Sequence, residues 1–300
     1  MKTPSPFIIA GPTAVGKSDI AVAVAERTGG EIVGADAFQV YRGLDILTAK
    51  PSPALLARVP HHLVGEIPLT RPWDVAQWLA AARERLADIH ARGRRALVVG
   101  GAGLCIRALT RGLATLPPAS PELRASLGAL SLSEMQRRLA ELDPEGARRI
   151  DLKNPRRVIR ALEVCLLTGR PFSSFREQWD SAASDWKGVI LTRGRAELCA
   201  RIDRRTGAMF DEGVIGEVRD AGEVGPTAGQ TLGLREIRAH LAGELTRSEC
   251  VAAIQQATRH YAKRQLTWFR RETAFQTINL TETSASATIE IITQAVRAFD

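Results

Sequence analysis

Hydrophobic positions along this chain fall into two rhythms. Short unbroken apolar runs, Phe7-Ile8-Ile9-Ala10 and later "RALVVGGAG" at 95 to 103, predict buried strands. Apolar residues at three- and four-residue spacing in "DVAQWLAAARERLADIHARG" (74 to 93), closed by Gly93, predict an amphipathic helix. Between these lie a helix over about 17 to 28, ending at Gly29 and Gly30, and a strand, "EIVGAD", that finishes on Asp36. Strand, helix, strand, helix, strand is the order of a doubly wound parallel α/β sheet. Ligands of such sheets sit beyond the carboxyl ends of the strands, which puts Asp36 in the same crevice as the turn that follows the first strand.

The rhythm changes at "LATLPPASPEL" (113 to 123), where three prolines interrupt it, and the chain to about 180 reads as charge-laced helices. The expectation is an inserted helical subdomain over 115–184, carried by a core of 1–114 and 185–300. In its densest stretch, "DLKNPRRVIRALEV" (151 to 164), Lys153, Arg156, Arg157 and Arg160 crowd a helix start with Pro155 in the first turn. That cluster fits a solvated face as well as a binding surface. "WKGVILTRG" (186 to 194) predicts a strand returning to the core, followed by a helix over about 195 to 222. A long helix at 247 to 273, a short strand and a final helix complete the chain. In the long helix Val251, Ile254, Tyr261 or Ala262, Leu266 and Phe269 recur at helical spacing and form a core face. Arg259, Lys263, Arg264, Arg270 and Arg271 occupy much of the rest, a basic side suited to a polynucleotide or to a phosphate-rich small substrate.

The turn after the first strand carries the sharpest chemistry. Gly11, Pro12, Thr13, Ala14, Val15, Gly16, Lys17 and Ser18 fit G-x-x-x-x-G-K-[ST], a P-loop flanked by the strand and helix that this motif requires. Successive backbone N–H groups in such a turn point inward at the positive end of a helix and hold an anion. Lys17 adds a point charge. Ser18 offers a hydroxyl to a Mg²⁺ ion, which keeps several waters and needs few protein oxygens.

Composition narrows the partners. The 300 residues, 45% of them hydrophobic, suffice for a packed core, and a net charge of +8 with a pI near 9.8 attracts polyanions. The longest apolar run, residues 96 to 106, is too short and glycine-rich to span a bilayer. The first nine residues lack an apolar signal core, so a cytoplasmic, monomeric enzyme without a cleaved leader is expected. Cys105, Cys165, Cys199 and Cys250 lie far apart with no metal-binding spacing, and adjacent His61 and His62 point opposite ways in an extended segment. The P-loop class ordinarily binds nucleotides such as ATP. A small-molecule or nucleotide kinase is therefore the main rival reading, and an RNA-binding NTPase a lesser one, because "ALVVGG" ends in glycines rather than in a Walker B aspartate.

Taken together, several stretches resemble one family, the tRNA dimethylallyltransferases or isopentenyltransferases. They are "GPTAVGKS", "ADAFQVYRGLDILTAKP", "PHHLV", "VVGGAGLCIRAL", "NPRRVIRALEV", "RIDRRTGAM", "GLREI" and "ATRHYAKRQLTWFRR", in that order over nearly the whole chain. The resemblance implies a P-loop NTPase-like fold and transfer of a dimethylallyl group from its diphosphate to N6 of the adenosine 3′-adjacent to a tRNA anticodon. The P-loop, Gly11 to Ser18, would then hold the diphosphate leaving group together with Arg205, and Mg²⁺ would sit at Ser18. Asp36 matches the general base, with Thr13, Lys17 and Arg205 beside the reacting centre. Asp36, Ala37, Phe38 and Gln39, then Ala102, and Arg156, Arg157, Val158, Ile159 and Arg160 match positions that touch the tRNA anticodon stem-loop. The chain departs from the family pattern at Ala37, Leu47, Ala102 and Cys105.

Overall fold

The structure, a computed structural model, describes residues 5–179, 186–272 and 274–298. The chain divides into two compact units, one of Met1–Leu109 with Asp185–Asp300 and one of Thr110–Ser184. The first crossing falls five residues before the expected 114/115, while the expected return at 184/185 lies outside the described residues.

The first unit is built on six parallel strands: β1 (Phe7–Ala10), β2 (Gly30–Ala35), β3 (His61–His62), β4 (Arg95–Gly100), β5 (Gly188–Thr192) and β6 (Gln276–Asn279). Their order is β3-β2-β4-β1-β5-β6. The chain leaves β1 toward β2 on one side and leaves β4 toward β5 on the other. The exits of β1 and β4, neighbours in the sheet, therefore flank the topological switch point, where such sheets bind ligands. β3, two residues long, has no sequence signal of its own. Its histidines face opposite partners: His61 Nδ1 lies 2.8 Å from the Val59 carbonyl and His62 Nε2 2.8 Å from Glu31.

Phe7, Ile9, Leu97 and Leu191 meet Ile20, Val24, Ile292 and Val296 from the first and last helices in one buried core. Asp74 and Gln77 form a capping box that starts the helix Val75–Ala91, and Trp78 from that helix is buried with its indole N–H donating 2.8 Å to the Gly34 carbonyl. Two helices differ from the sequence reading. The one expected over 195–222 is two, Arg195–Asp211 and Val214–Asp220, because Gly213 at φ +95° breaks the ladder. The long helix runs Arg247–Phe269 and stops short of the expected residue 273, because the Arg271 and Glu272 N–H groups turn back to the Trp268 and Phe269 carbonyls, three residues earlier.

The second unit holds the helices Pro121–Gly128, Leu132–Leu142, Pro144–Arg149 and Pro155–Thr168. Ser120, Ser131, Asp143 and Asn154 cap them in turn, each side chain accepting from a backbone N–H of the first turn. Leu127, Met135, Leu139, Val158 and Leu162 form its core. Glu163 is wholly buried, and its two oxygens accept four hydrogen bonds, from the Ser120 N–H, from Arg124 twice, and from Arg160 at 2.5 Å.

Candidate active site

The site grows from the turn after β1. Gly16 ends the loop at φ +104°, a left-handed conformation natural to glycine, and hands the chain to the helix Lys17–Thr28. Ala14 also sits at positive φ, +63°, where a residue with a Cβ carries strain of about 1–2 kcal/mol. Its carbonyl accepts from Arg201 Nε at 2.8 Å, and the next carbonyl, of Val15, accepts from Arg193 Nε at 2.8 Å. With these oxygens held outward by arginines, the loop keeps N–H groups for an anion. Lys17 Nζ donates 2.7 Å to the Pro12 carbonyl across the loop.

Cations accumulate around this turn. Burial pushes the Lys17 ammonium down to about 8, against the attraction of Asp36 and with the repulsion of Arg205. The Arg205 guanidinium is lowered by burial first, with Asp36 opposing and Arg201 reinforcing the effect. Arg201 is lowered by burial and by Arg193. Arg205 Nη2 donates 2.8 Å to Thr13 Oγ1, while Arg205 Nε is buried with no partner among the described residues. Partly desolvated positive charges that lower one another, with an orphaned donor among them, make a site suited to a polyanion.

Asp36 stands immediately beyond β2. Its Oδ1 accepts from the N–H groups of Phe38 (2.9 Å) and Gln39 (3.2 Å), which fixes the carboxylate and leaves its second oxygen without a hydrogen bond among the described residues. Two cavities meet at this carboxylate. The larger, of about 390 Å³, is polar and lined by the P-loop, Lys50, Arg201 and Arg205. The smaller, of about 50 Å³, is lined by Phe38, Leu47, Met209, Leu232, Ile254, Tyr261 and five threonines, with Asp36 and Arg205. Thr13, Asp36, Thr48 and Arg205 line both. At about 10–15 Å³ for a water-sized group, the smaller cavity takes roughly four such groups. The segment forming its Leu47 wall is anchored: both Glu217 oxygens accept at 2.8 Å from the N–H groups of Ile46 and Leu47.

Several residues proposed from the sequence for RNA contact have other partners in the structure. Gln39 spends its amide nitrogen on the carbonyls of Thr48 (3.1 Å) and Ala49 (2.8 Å), bracing the cavity wall. Ala102 donates its N–H 3.0 Å to the Ala35 carbonyl, while Ala37 is exposed. Val158 is fully buried, while Ile159 is half-buried against the same core. Arg160 is bound to buried Glu163 and to the Pro117 carbonyl at 2.9 Å. Arg156 and Arg157 are exposed at the start of their helix.

Four residues outside the sequence-based selection belong to the site. Arg201 lies in "RIDRR", four residues before Arg205 and so on the same helix face. Lys50, from "TAKP", lines the larger cavity and donates to the Tyr41 carbonyl and to Asp45. Tyr261 lines the smaller cavity, its phenol pushed up by burial and by the nearby Asp36 and Cys105, so it stays protonated. The Cys105 thiol is itself pushed up to about 12, chiefly by burial, and is no nucleophile. Gln265, in "AKRQLTW", accepts from the Thr13 N–H at 2.9 Å and donates to the Gly101 carbonyl at 2.9 Å. The motif gave a signal for each of the first two and for Gln265, but spacing alone assigns them no role.

Comparison with known proteins fits this arrangement. The IPP transferase family model matches residues 39–272, and the isopentenyl transferase model matches residues 5–65. The chain is 46% identical over 277 residues to a tRNA dimethylallyltransferase of Caulobacter sp. (strain K31), covering 89% of each protein. It is 47% identical to tRNA dimethylallyltransferase 1 of Citrifermentans bemidjiense, again over 89% of each. Among solved structures, the tRNA isopentenylpyrophosphate transferase of Bacillus halodurans superposes with a TM-score of 0.73 at 32% identity, covering 99% of this chain and 96% of that one. A eukaryotic dimethylallyltransferase, at 23% identity and a TM-score of 0.81, shares the fold over 98% of this chain and 79% of its own. The fold is the P-loop NTPase-like fold of these neighbours. On this evidence the chain belongs to the IPP transferase family.

Proposed function

We propose that this protein, a cytoplasmic monomer, transfers a dimethylallyl group from dimethylallyl diphosphate to N6 of the adenosine 3′-adjacent to the anticodon in tRNA, releasing diphosphate. The observation that carries this reading is the junction of the two cavities. A cationic loop site suited to a diphosphate opens, across Thr13, Asp36, Thr48 and Arg205, onto a small cavity of a size suited to a branched five-carbon group, to which Phe38, Leu47, Met209, Leu232 and Ile254 present apolar side chains. The names of the relatives, tRNA dimethylallyltransferases, agree with it.

In this mechanism the loop N–H groups, Lys17 and Arg205 hold the diphosphate. As the C1–O bond breaks, its electron pair stays on the diphosphate, and Lys17, Arg205 and Thr13 stabilise the charge that gathers there. The N6 lone pair forms the new C–N bond. The free oxygen of Asp36 accepts the N6 proton, a general-base contribution worth about 10² to 10⁴-fold. The adenine leaves its stack to reach a site beyond the strand ends, so the enzyme needs a separate grip on the anticodon stem-loop. Exposed Arg156 and Arg157 are suited to supply part of that grip through backbone phosphates.

Mg²⁺ fits the donor set. The Ser18 hydroxyl makes no hydrogen bond among the described residues, and it lines the larger cavity with the carboxylates of Asp19 and Asp36. An ion of this kind is held by one or two protein oxygens and the substrate's phosphates. When bound, the ion would neutralise charge on the diphosphate. The test is to incubate purified protein, unmodified tRNA, Mg²⁺ and dimethylallyl diphosphate without any nucleoside triphosphate. The digested RNA should contain N6-dimethylallyladenosine 3′ to the anticodon, and its absence, with ATP hydrolysis in a parallel assay, would overturn the proposal in favour of a kinase.

A further inference from the structure

Gln265 lies buried on the inner side of the helix Arg247–Phe269, only 6% exposed. Its amide joins two backbones that are far apart in the chain and adjacent in the sheet: the P-loop after β1, through the Thr13 N–H, and the exit of β4, through the Gly101 carbonyl. The orientation of the amide is unambiguous, because the Thr13 N–H only donates and the Gly101 carbonyl only accepts. The β4 exit is shaped to receive this helix. A Cβ at Gly101 would lie 2.3 Å from Gln265 Nε2, and a Cβ at Gly103 would lie 2.4 Å from the ring of Trp268, three residues along the same helix. Gly101 and Gly103 of "VVGGAG" are therefore a seat for Gln265 and Trp268.

Two consequences follow for Thr13. Its N–H, committed to Gln265, is withdrawn from the set of loop amides offered to the diphosphate. Its side chain is held by the backbone that Gln265 fixes, with Oγ1 accepting from Arg205 at 2.8 Å. A hydroxyl has one hydrogen and two lone pairs, so with Arg205 filling an acceptor site the hydrogen remains free to donate. No other acceptor for it is recorded among the described residues, and Thr13 lines both cavities where they join.

We propose that Gln265 is a positioning residue for the transfer reaction: it fixes Thr13 so that the threonine hydroxyl donates to the diphosphate oxygen from which C1 departs. This rests on the proposed function, since it assigns a role within that site. Gln265 touches no reacting atom and acts through Thr13 alone.

The test is a double-mutant cycle read by single-turnover transfer on the full-length protein, with donor KM measured alongside and the folded fraction fixed by circular dichroism. Thr13→Val should slow the step by about 10²–10³-fold, the usual loss for one donor at a developing charge. Gln265→Met, similar in length but without hydrogen bonds, should slow it by about 10–100-fold, as expected for a misplaced catalytic group, with donor KM within about threefold of wild type. In the Thr13→Val background, Gln265→Met should cost less than about threefold more, because the group it positions is already gone. Gln265→Glu keeps an acceptor for the Thr13 N–H but places a negative charge beside the loop. It should raise donor KM while losing less rate than Gln265→Met, which guards against a Met variant that folds poorly. Multiplicative losses in the double variant, or a Gln265→Met rate equal to wild type, would overturn the positioning role. Wild-type transfer in the same assay separates that outcome from failure of the proposed function, in which no variant, wild type included, makes product.

Discussion

Removing the arginines of the "RRVIR" stretch should separate two roles that the sequence presents as one. Arg156 and Arg157 are exposed, whereas Arg160 is only 28% exposed at its side chain and is bound to buried Glu163. If Arg156 and Arg157 each meet a tRNA phosphate, replacing both by alanine should lower the slope of log K against log salt by about 1.4–1.8, at about 0.7–0.9 per contact. Between 50 and 200 mM salt, that is roughly a tenfold smaller loss of affinity. Arg160→Ala should leave the slope alone and destabilise the protein. It deletes a hydrogen bond to an ionised carboxylate and one to the Pro117 carbonyl, together about 2–4 kcal/mol, leaving Glu163 to Arg124 and the Ser120 N–H. Burial pushes the Glu163 carboxyl up, but the bonds from Arg124, Arg160 and Ser120 outweigh it and hold the group below its ordinary value. With the folded value depressed, its stabilisation is present above about pH 4.5 and is lost as pH falls through the folded value. Glu163→Gln should flatten that acid-side loss. The assays are filter binding of an anticodon stem-loop across a salt series, and urea unfolding at pH 7 and in the acid range. An unchanged slope in the Arg156/Arg157 double variant would make those residues a solvated face. A flattened slope without loss of stability in Arg160→Ala would refute the assignment of Arg160 to the fold.

Asp36→Asn keeps the oxygen that accepts from Phe38 and Gln39 but removes the base, so single-turnover transfer should fall about 10² to 10⁴-fold while donor and tRNA affinities persist, and a rate within about threefold of wild type would reject Asp36 as the base. Lys17, down to about 8 without ligand, should take up a proton when an ionised diphosphate binds, about half a proton per site at pH 8 and little at pH 7. Calorimetry of dimethylallyl diphosphate binding in two buffers of different ionisation enthalpy, without Mg²⁺, measures this, and no uptake at pH 8, or equal uptake by Lys17→Met, would contradict it. Leu47→Gly should open the wall of the smaller cavity and raise kcat/KM for geranyl diphosphate relative to dimethylallyl diphosphate by about tenfold or more. An unchanged ratio would place the hydrocarbon chain elsewhere.

What the sequence made legible, and what it left dark, divides along a physical line. The P-loop, Asp36 at the end of β2 and the capped helix behind "NPRR" are local: spacing, strand exit and cap chemistry lie within a few residues of each other, so pattern reading reaches them. β3 escaped because two residues cannot show a period. The break at Gly213 escaped because helix-period apolar residues continue on both sides of it. The larger omission is of groups whose role arises only when distant segments meet. Gln265 lies 252 residues from Thr13 and 164 from Gly101, and nothing in the local composition of a basic amphipathic helix marks its one buried amide. In sequence "VVGGAG" is only a glycine-rich exit from β4, yet Gly101 and Gly103 are small because a glutamine and a tryptophan approach within 2.3–2.4 Å of where a side chain would begin. Val158 illustrates the reverse. The resemblance placed it with Arg156 and Arg157 among tRNA-touching positions, whereas its side chain is fully buried, because on a helix a residue one or two positions from an exposed one faces another direction. A motif thus records which residues go together without recording whether they share a surface or a core, and only the fold separates exposed Arg156 and Arg157, the latter with no more than a 4.0 Å surface pairing to Asp151, from Arg160, already spent on a buried carboxylate.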